Sequence, residues 1–357
     1  MWHSSPRFFV KNGTRATSRI EFRFLMANIL LSETCVRSCP YCFAKQYMAN
    51  NINENDYISW DNLIYIADFL SASGENHVSL LGGEPLLHPQ ISSIIKYLNQ
   101  RNLSVTIFTS GIMPIDRLQR FVVELNELQN LRVGFVCNVN EPRFSPKNEL
   151  ERVEQFLSLF ANHTSLSFNI YRMDFEMTFL RDYIVRFGLD RHIRLGLAHP
   201  IPGKKNKYIP TNEFSIVKDK LIQFFVENQS LGIVPGFDCG FPMCMFSDEE
   251  LGLMFKLSIG QLCFQCGPAI DIDAELNVWS CFPLSDFNKK SLFDFNTYGE
   301  LAKFYLDKME EVRSERRGIY PQCDDCSHNK HGLCSGGCLA HILNSFIEEG
   351  DFRKKEQ

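Results

Sequence analysis

Met26-Ala-Asn-Ile-Leu-Leu-Ser32-Glu-Thr-Cys35-Val-Arg-Ser-Cys39-Pro-Tyr-Cys42 joins an apolar run to three cysteines spaced C-x3-C-x2-C. The apolar run reads as a buried strand, and the polar, proline-containing stretch after it reads as a loop. The same pattern recurs downstream. Strand-like runs stand at Met26–Ser32, His77–Leu81, Ser104–Thr109, Leu131–Cys137, Ser165–Tyr171 and His192–Leu197. Between them apolar residues fall at i, i+3, i+4, i+7: Leu63, Ile66, Ala67 and Leu70; Ile91, Ile94, Ile95 and Leu98; Leu118, Phe121, Val122 and Leu125. Val153, Phe156, Leu157 and Phe160 continue the series, followed by Leu180, Tyr183, Ile184 and Phe187, and then by Phe214, Val217, Leu221, Phe224 and Phe225. Strand–helix alternation predicts an α/β fold with a parallel sheet, either an open doubly wound sheet or a curved partial barrel. In both, ligands bind at the C-terminal ends of the strands, where the three-cysteine loop lies.

The alternation stops near Gly232-Ile-Val-Pro235-Gly236, a plausible boundary. This divides the chain into residues 1–24, a short hairpin about Asn12-Gly13; 25–232, the alternating core; and 233–357, an irregular cysteine-rich domain. One clear helix is expected in the last part, through Leu301, Phe304, Tyr305, Met309 and Val312. Of 13 cysteines, nine lie between Cys239 and Cys338. A chain of 357 residues does not need disulfides to hold a core, so the clusters point to metal and to a reducing, cytoplasmic compartment. A net charge of −5 argues against a nucleic-acid footprint. No apolar run reaches the ~18 residues that span a bilayer.

Thiolates suit iron–sulfur clusters and zinc. Three from one loop would leave one iron of a four-iron cube open, whereas structural zinc wants a closed set of four. Cys35, Cys39 and Cys42, with Tyr41 before the last, resemble the signature of the radical S-adenosylmethionine (SAM) family. A second motif, Gly82-Gly83-Glu84-Pro85, ends the second strand-like run. Its glycines permit close backbone approach, its carboxylate can pair with an ammonium, and it resembles that family's GGEP motif. The resemblance implies a partial (β/α)6 TIM-like barrel and a [4Fe–4S] cluster on Cys35, Cys39 and Cys42. It also implies SAM held by its amino group at Gly82, Gly83, Glu84 and Pro85, with its adenine on Tyr41. Thr109 and Ser110 would lie beside the methionyl part, Asn138 near the ribose, and Asn169 and Arg172 toward the site. A polar strand cap is the other reading of these five positions. Cys137 reads as a buried structural thiol.

Cys263-x2-Cys266, Cys281 and Cys323-x2-Cys326-x7-Cys334-x3-Cys338, with Cys239 and Cys244 upstream, resemble the SPASM extension that follows many such barrels. It implies one or two auxiliary [4Fe–4S] clusters. The family's wiring places Cys323, Cys326 and Cys334 on the distal cluster, and Cys338 with Cys281 and Cys266 on the nearer one. Here Leu276 takes the family's glycine position, the middle gap is seven residues rather than five, and no cysteine follows Cys338. The distal cluster therefore lacks its usual fourth ligand. Cys239, Cys244 and the spare of Cys263 and Cys266 are the candidates, unless the site stays open for substrate. One of Cys239 and Cys244 is also a candidate hydrogen donor.

The family implies reductive SAM cleavage to a 5′-deoxyadenosyl radical, an electron from a flavodoxin- or ferredoxin-like donor, and hydrogen abstraction from substrate. SPASM-type substrates are mostly ribosomal peptides that are crosslinked, thioether-bridged or epimerised; others are protein side chains or small molecules. The residues before the first strand are too few for a peptide-binding domain, which points to a separate recognition protein, a short leader or another substrate class. A reading of a different class is a non-catalytic zinc-thiolate binding protein.

Overall fold

The computed structural model describes residues 26–44, 56–128, 130–238, 240–267 and 269–350. The hairpin expected over 1–24 and Cys239 lie outside the described residues. The first two-thirds alternate as β1 (Ala27–Leu30), α1 (Trp60–Ala72), β2 (His77–Leu81), α2 (Ile91–Gln100), β3 (Ser104–Thr109), α3 (Ile115–Glu127), β4 (Val133–Asn138), α4 (Lys147–Phe160), β5 (Thr164–Ile170), α5 (Thr178–Phe187), β6 (His192–Leu197) and α6 (Phe214–Glu227). All six expected strands and all six expected helices are present. The residues expected to form the helix faces pack inward: Leu63, Ile66, Ala67 and Leu70 of α1 are buried, as are Ile91, Ile94, Ile95 and Leu98 of α2. Phe121, Phe135, Phe156 and Phe160 join α3, β4 and α4 through ring contacts of 4.9 to 6.3 Å. Burying each such ring contributes roughly 1.5–3 kcal/mol. The phenylalanines here build core.

Neighbouring strands from β1 to β6 pair in parallel, in sequence order. The parallel run does not stop at Gly232. That glycine turns the chain at φ +67°, and β7 (Val234–Phe237) then pairs in parallel with β6. The cysteine-rich part also joins the sheet. After α7 (Asp248–Leu257), β8 (Ile270–Ile272) pairs in parallel with β1, and β9 (Asn277–Ser280) and β10 (Lys290–Ser291) add antiparallel. The result is one ten-stranded sheet ordered β10-β9-β8-β1-β2-β3-β4-β5-β6-β7, whose edges β10 and β7 do not meet. It is an α/β partial barrel.

The expected C-terminal helix is α8 (Tyr298–Glu315), and two shorter ones follow, α9 (Ser327–Lys330) and α10 (Leu339–Glu348). Apolar spacing alone does not mark α7 or α10. Helix α7 carries a sequence signal: Ser247 and Glu250 form a reciprocal capping box. Helix α10 starts on a cysteine and is held by burial of Leu339, Ala340, Ile342 and Leu343. No helix among the described residues is long and apolar enough to cross a membrane.

Candidate active site at the mouth of the parallel sheet

The three-cysteine loop leaves the C-terminal end of β1, and the Gly82-Gly83-Glu84 loop leaves β2 beside it. The two are joined along their backbones. Gly83 N–H donates to the Ser32 carbonyl at 2.7 Å and Glu84 N–H to the Thr34 carbonyl at 2.8 Å. The glycines are needed for this contact. A Cβ on Gly83 would stand 2.0 Å from the Thr34 oxygen, and one on Gly82, at φ +133°, would stand 2.3 Å from the Ser32 oxygen. The close approach expected of these glycines is thus first to the cysteine loop itself. Ser32 Oγ accepts from Thr34 N–H at 2.9 Å, and Thr34 Oγ1 donates to Asp56 at 3.0 Å. Cys42 N–H donates to the Cys39 carbonyl at 3.1 Å, closing the tight turn that the two-residue spacing predicts.

Glu84 is 1% exposed. Its carboxylate accepts from Thr109 Oγ1 at 2.6 Å, from Ser110 N–H at 2.7 Å, from Ser110 Oγ and from Leu86 N–H at 3.3 Å. The ends of β2 and β3 therefore meet on one buried charge. Burial raises its pKa, against the pull of these hydrogen bonds. Pro85 begins the buried turn Pro85–Leu87 that follows. Burial also pushes the Cys35 thiol up to about 12, with the Arg37 amide opposing it and the charges of Glu84, Cys39 and Cys42 adding to it. A thiol raised in this way by burial needs a cationic ligand to be held as a thiolate.

Tyr41 is buried. Its hydroxyl donates to Asn140 Oδ1 at 3.0 Å, and its ring lies 4.7 Å from that of Tyr171. Asn138 ends β4 with Oδ1 buried and without a protein partner among the described residues, an acceptor open to a ligand hydroxyl. Asn169 lies on β5 against Gly196, where a Cβ would stand 2.4 Å from its Oδ1. Arg172 is engaged elsewhere. It pairs with Asp174 and lies 3.7 Å over the Phe144 ring. Cys137 is fully buried in the core.

Sequence reasoning passed over Arg37, in the first gap of the triplet. Its side chain is 6% exposed, pairs with Glu149 at 3.0 Å and donates to the Asn138 carbonyl at 3.0 Å. It ties the cysteine loop to the end of β4 and the start of α4. A charged residue inside a ligand loop was the only signal. Arg194 on β6 is a second such residue; it pairs with Asp238 just after β7 and lies over Phe108.

The C-terminal cysteines fall into two groups. Burial pushes Cys338 up to about 12, with Cys266 its first charged neighbour. Cys281 is raised by burial, then by Cys338 and Cys266. Cys281 holds φ +51°, ψ 149°, a backbone region that side chains rarely occupy and that clusters at functional sites. In the second group, burial and then Cys323, Cys334 and Cys326 raise the Cys244 thiol. Cys263 is exposed. Among the described residues no three His, Cys, Asp or Glu side chains form a single-ion cage. Thiolate donors of this kind are the ones that iron–sulfur clusters and zinc take. Leu276 adopts φ +64° in the turn between β8 and β9, the left-handed conformation glycine supplies freely.

Residues 29–134 match the family model of the Radical SAM superfamily. An S-adenosylmethionine-dependent nucleotide dehydratase of Flammeovirga pacifica is 33% identical over 85 residues, which are 24% of this chain and 29% of that protein. The match thus spans less than a third of that relative's length. A probable GTP 3′,8-cyclase of Methanocaldococcus jannaschii is 24% identical over 242 residues, 62% of this chain and 76% of the relative. Streptococcus suis SuiB, solved bound to S-adenosylmethionine, superposes with a TM-score of 0.61 at 16% identity, covering 91% of this chain and 74% of that one. SuiB bound to precursor peptide SuiA gives 0.61 at 15% identity, covering 91% and 73%. At such identity the likeness shows the fold.

Proposed function

We propose that the chain is a radical SAM enzyme carrying auxiliary iron–sulfur clusters and acting on a peptide, by crosslinking, thioether formation or epimerisation. One observation carries the SAM-binding part. Glu84 is gathered by Thr109 and Ser110 while its own loop is joined by backbone hydrogen bonds to the foot of the three-cysteine loop. A carboxylate fixed there can receive the ammonium of SAM, and Gly82 and Gly83 let its loop lie directly against the foot of the cysteine loop. Asn138 Oδ1 offers an acceptor for a ribose hydroxyl, and Tyr41 an apolar ring. Cys35, Cys39 and Cys42 would hold a [4Fe–4S] cluster, which would supply the electron for reductive cleavage of SAM to a hydrogen-abstracting 5′-deoxyadenosyl radical. A flavodoxin- or ferredoxin-like protein would deliver that electron, and a separate recognition protein would present the peptide.

The fold likeness to SuiB, solved with a precursor peptide, supports a peptide substrate. The nucleotide-acting relatives match by sequence instead, and favour a small-molecule substrate as the second reading. The test is an anaerobic preparation beside its Cys35→Ala/Cys39→Ala/Cys42→Ala variant. We expect about eight or twelve irons in the parent and about four fewer in the variant, with 5′-deoxyadenosine formed from SAM and dithionite by the parent alone. Zinc without iron in both would sink the proposal in favour of a zinc-thiolate binding protein. GTP or another nucleotide turned over without any peptide would select the second reading.

A further inference from the structure

The distal group of thiols is one ligand short by the wiring that the sequence resemblance implies, since no cysteine follows Cys338. The fold narrows the candidates among the described residues. Cys266 belongs to the nearer group: it neighbours Cys338 and Cys281, and its N–H is fixed by Ser335 Oγ at 2.8 Å. Cys263 is exposed, while the next residue, Phe264, turns inward and is buried. In an extended segment successive side chains point to opposite faces, so Cys263 looks away from the core that Phe264 enters.

Cys244 is exposed as well, but the charged neighbours of its sulfur are the thiols Cys323, Cys334 and Cys326. It sits in the turn Met243–Met245, which follows β7 by a few residues, and both flanking methionines are buried. The N–H of Met243 donates to Cys334 Sγ at 3.5 Å, and the N–H of Gly336 donates to the same sulfur at 3.3 Å. Two amides on one sulfur is the setting of a thiolate ligand. It fixes the turn of Cys244 directly on Cys334. Cys323 N–H and Cys326 N–H close the opposite turn on the Tyr320 and Cys323 carbonyls. Tyr320 then ties that turn to the segment before α6, its hydroxyl donating to the Thr211 carbonyl at 2.6 Å.

We propose that Cys244 is the fourth protein ligand of the distal cluster, completing Cys323, Cys326 and Cys334 from upstream rather than from a later cysteine. The assignment rests on the reading of the C-terminal thiols as cluster ligands. It makes the distal cluster a staple between the end of the parallel sheet and the C-terminal segment, closed to substrate by its own chain.

The test uses the full chain with Cys35→Ala/Cys39→Ala/Cys42→Ala, so that only auxiliary clusters are counted after anaerobic reconstitution with iron and sulfide. With both auxiliary clusters filled this parent should hold about eight irons. Adding Cys244→Ala should remove about half of them, or leave a three-iron paramagnetic signal, and added ethanethiol should restore the count. Adding Cys263→Ala should change neither. Cys244→Asp, which keeps an anionic ligand, should retain the irons with an altered spectrum; this covers the case in which Cys244→Ala fails to fold. An unchanged iron count and spectrum in Cys244→Ala or Cys244→Asp overturns the assignment, as does loss of iron from Cys263→Ala in its place. A parent that binds no iron, or binds zinc, overturns the cluster reading and the assignment together.

Discussion

Asp271 is the residue whose environment departs most from its sequence context. It sits on β8 beside β1, 1% exposed, and accepts from Asn28 Nδ2 at 2.7 Å. Burial pushes its carboxyl up to about 7, against hydrogen bonding from Asn28 and Trp279. A raised carboxyl means that the folded chain keeps a proton which the unfolded chain releases near 3.8. Its contribution is present at low pH and is lost as pH rises toward 7, a change of about 4 kcal/mol over the whole window. Asp271→Asn keeps an acceptor for Asn28 and has no charge to bury. The stability difference between variant and parent should therefore grow in the variant's favour from pH 4 to pH 8 in urea unfolding; parallel profiles would refute the assignment. Glu84 shares the direction of shift but not the setting, because Thr109 and Ser110 hold its charge. The sequence marks Glu84 by its glycines and leaves Asp271 unmarked, since only pairing of β8 with β1 removes that carboxylate from water.

At the scale of elements, the junction of two loops decides the site. Each loop was legible alone, one by cysteine spacing and one by Gly-Gly. Their contact was not, because it depends on parallel pairing of β1 with β2 across the whole of α1. Gly83→Ala tests the contact. The added methyl would stand 2.0 Å from the Thr34 oxygen and 2.8 Å from the Cys35 nitrogen, and both are backbone atoms that cannot swing aside. Overpacking of this kind costs about 1–3 kcal/mol or more. We expect a lower thermal midpoint together with loss of about four irons and of SAM binding, while a Gly252→Ala control, in helix α7 with nothing within 4 Å of its Cβ, keeps iron and SAM binding. Full iron and normal SAM affinity in Gly83→Ala would show that the two loops need not touch. Leu276 carries the opposite lesson: a departure from the family's glycine leaves the turn intact, because burial of the leucine side chain at 4% exposure offsets a left-handed backbone costing about 1–3 kcal/mol.

Across the whole molecule, the C-terminal part is continuous with the core. Strand β8 lies next to β1, so the strand that carries the cysteine loop is flanked by β2 on one side and by the cysteine-rich segment on the other. Where metal organises a domain, its removal is local unfolding. Stripping iron with a chelator under anaerobic conditions should raise amide exchange in β8, β9 and residues 315–338 and carry over to β1. The block from β3 to β6, held by α2 to α5 and their phenylalanine contacts, should keep its protection. Exchange confined to the cysteine loops, with β8 and β1 unchanged, would show that the shared sheet does not couple them.

Periodicity along the chain, by itself, determined the α/β order, because side-chain burial at spacings of two and 3.6 is a local property of strands and helices. Cysteine spacing pointed to metal, because two residues between thiols make a tight turn that can chelate. Only the tertiary structure decided which cysteines gather with which. The turn that carries Cys244 meets Cys334, and Cys266 is a charged neighbour of Cys338, across long stretches of chain whose path is set by β7 extending the sheet at one edge and β8 extending it at the other. The sheet's parallel pairing, a contact between segments distant in sequence, is what no local pattern encodes.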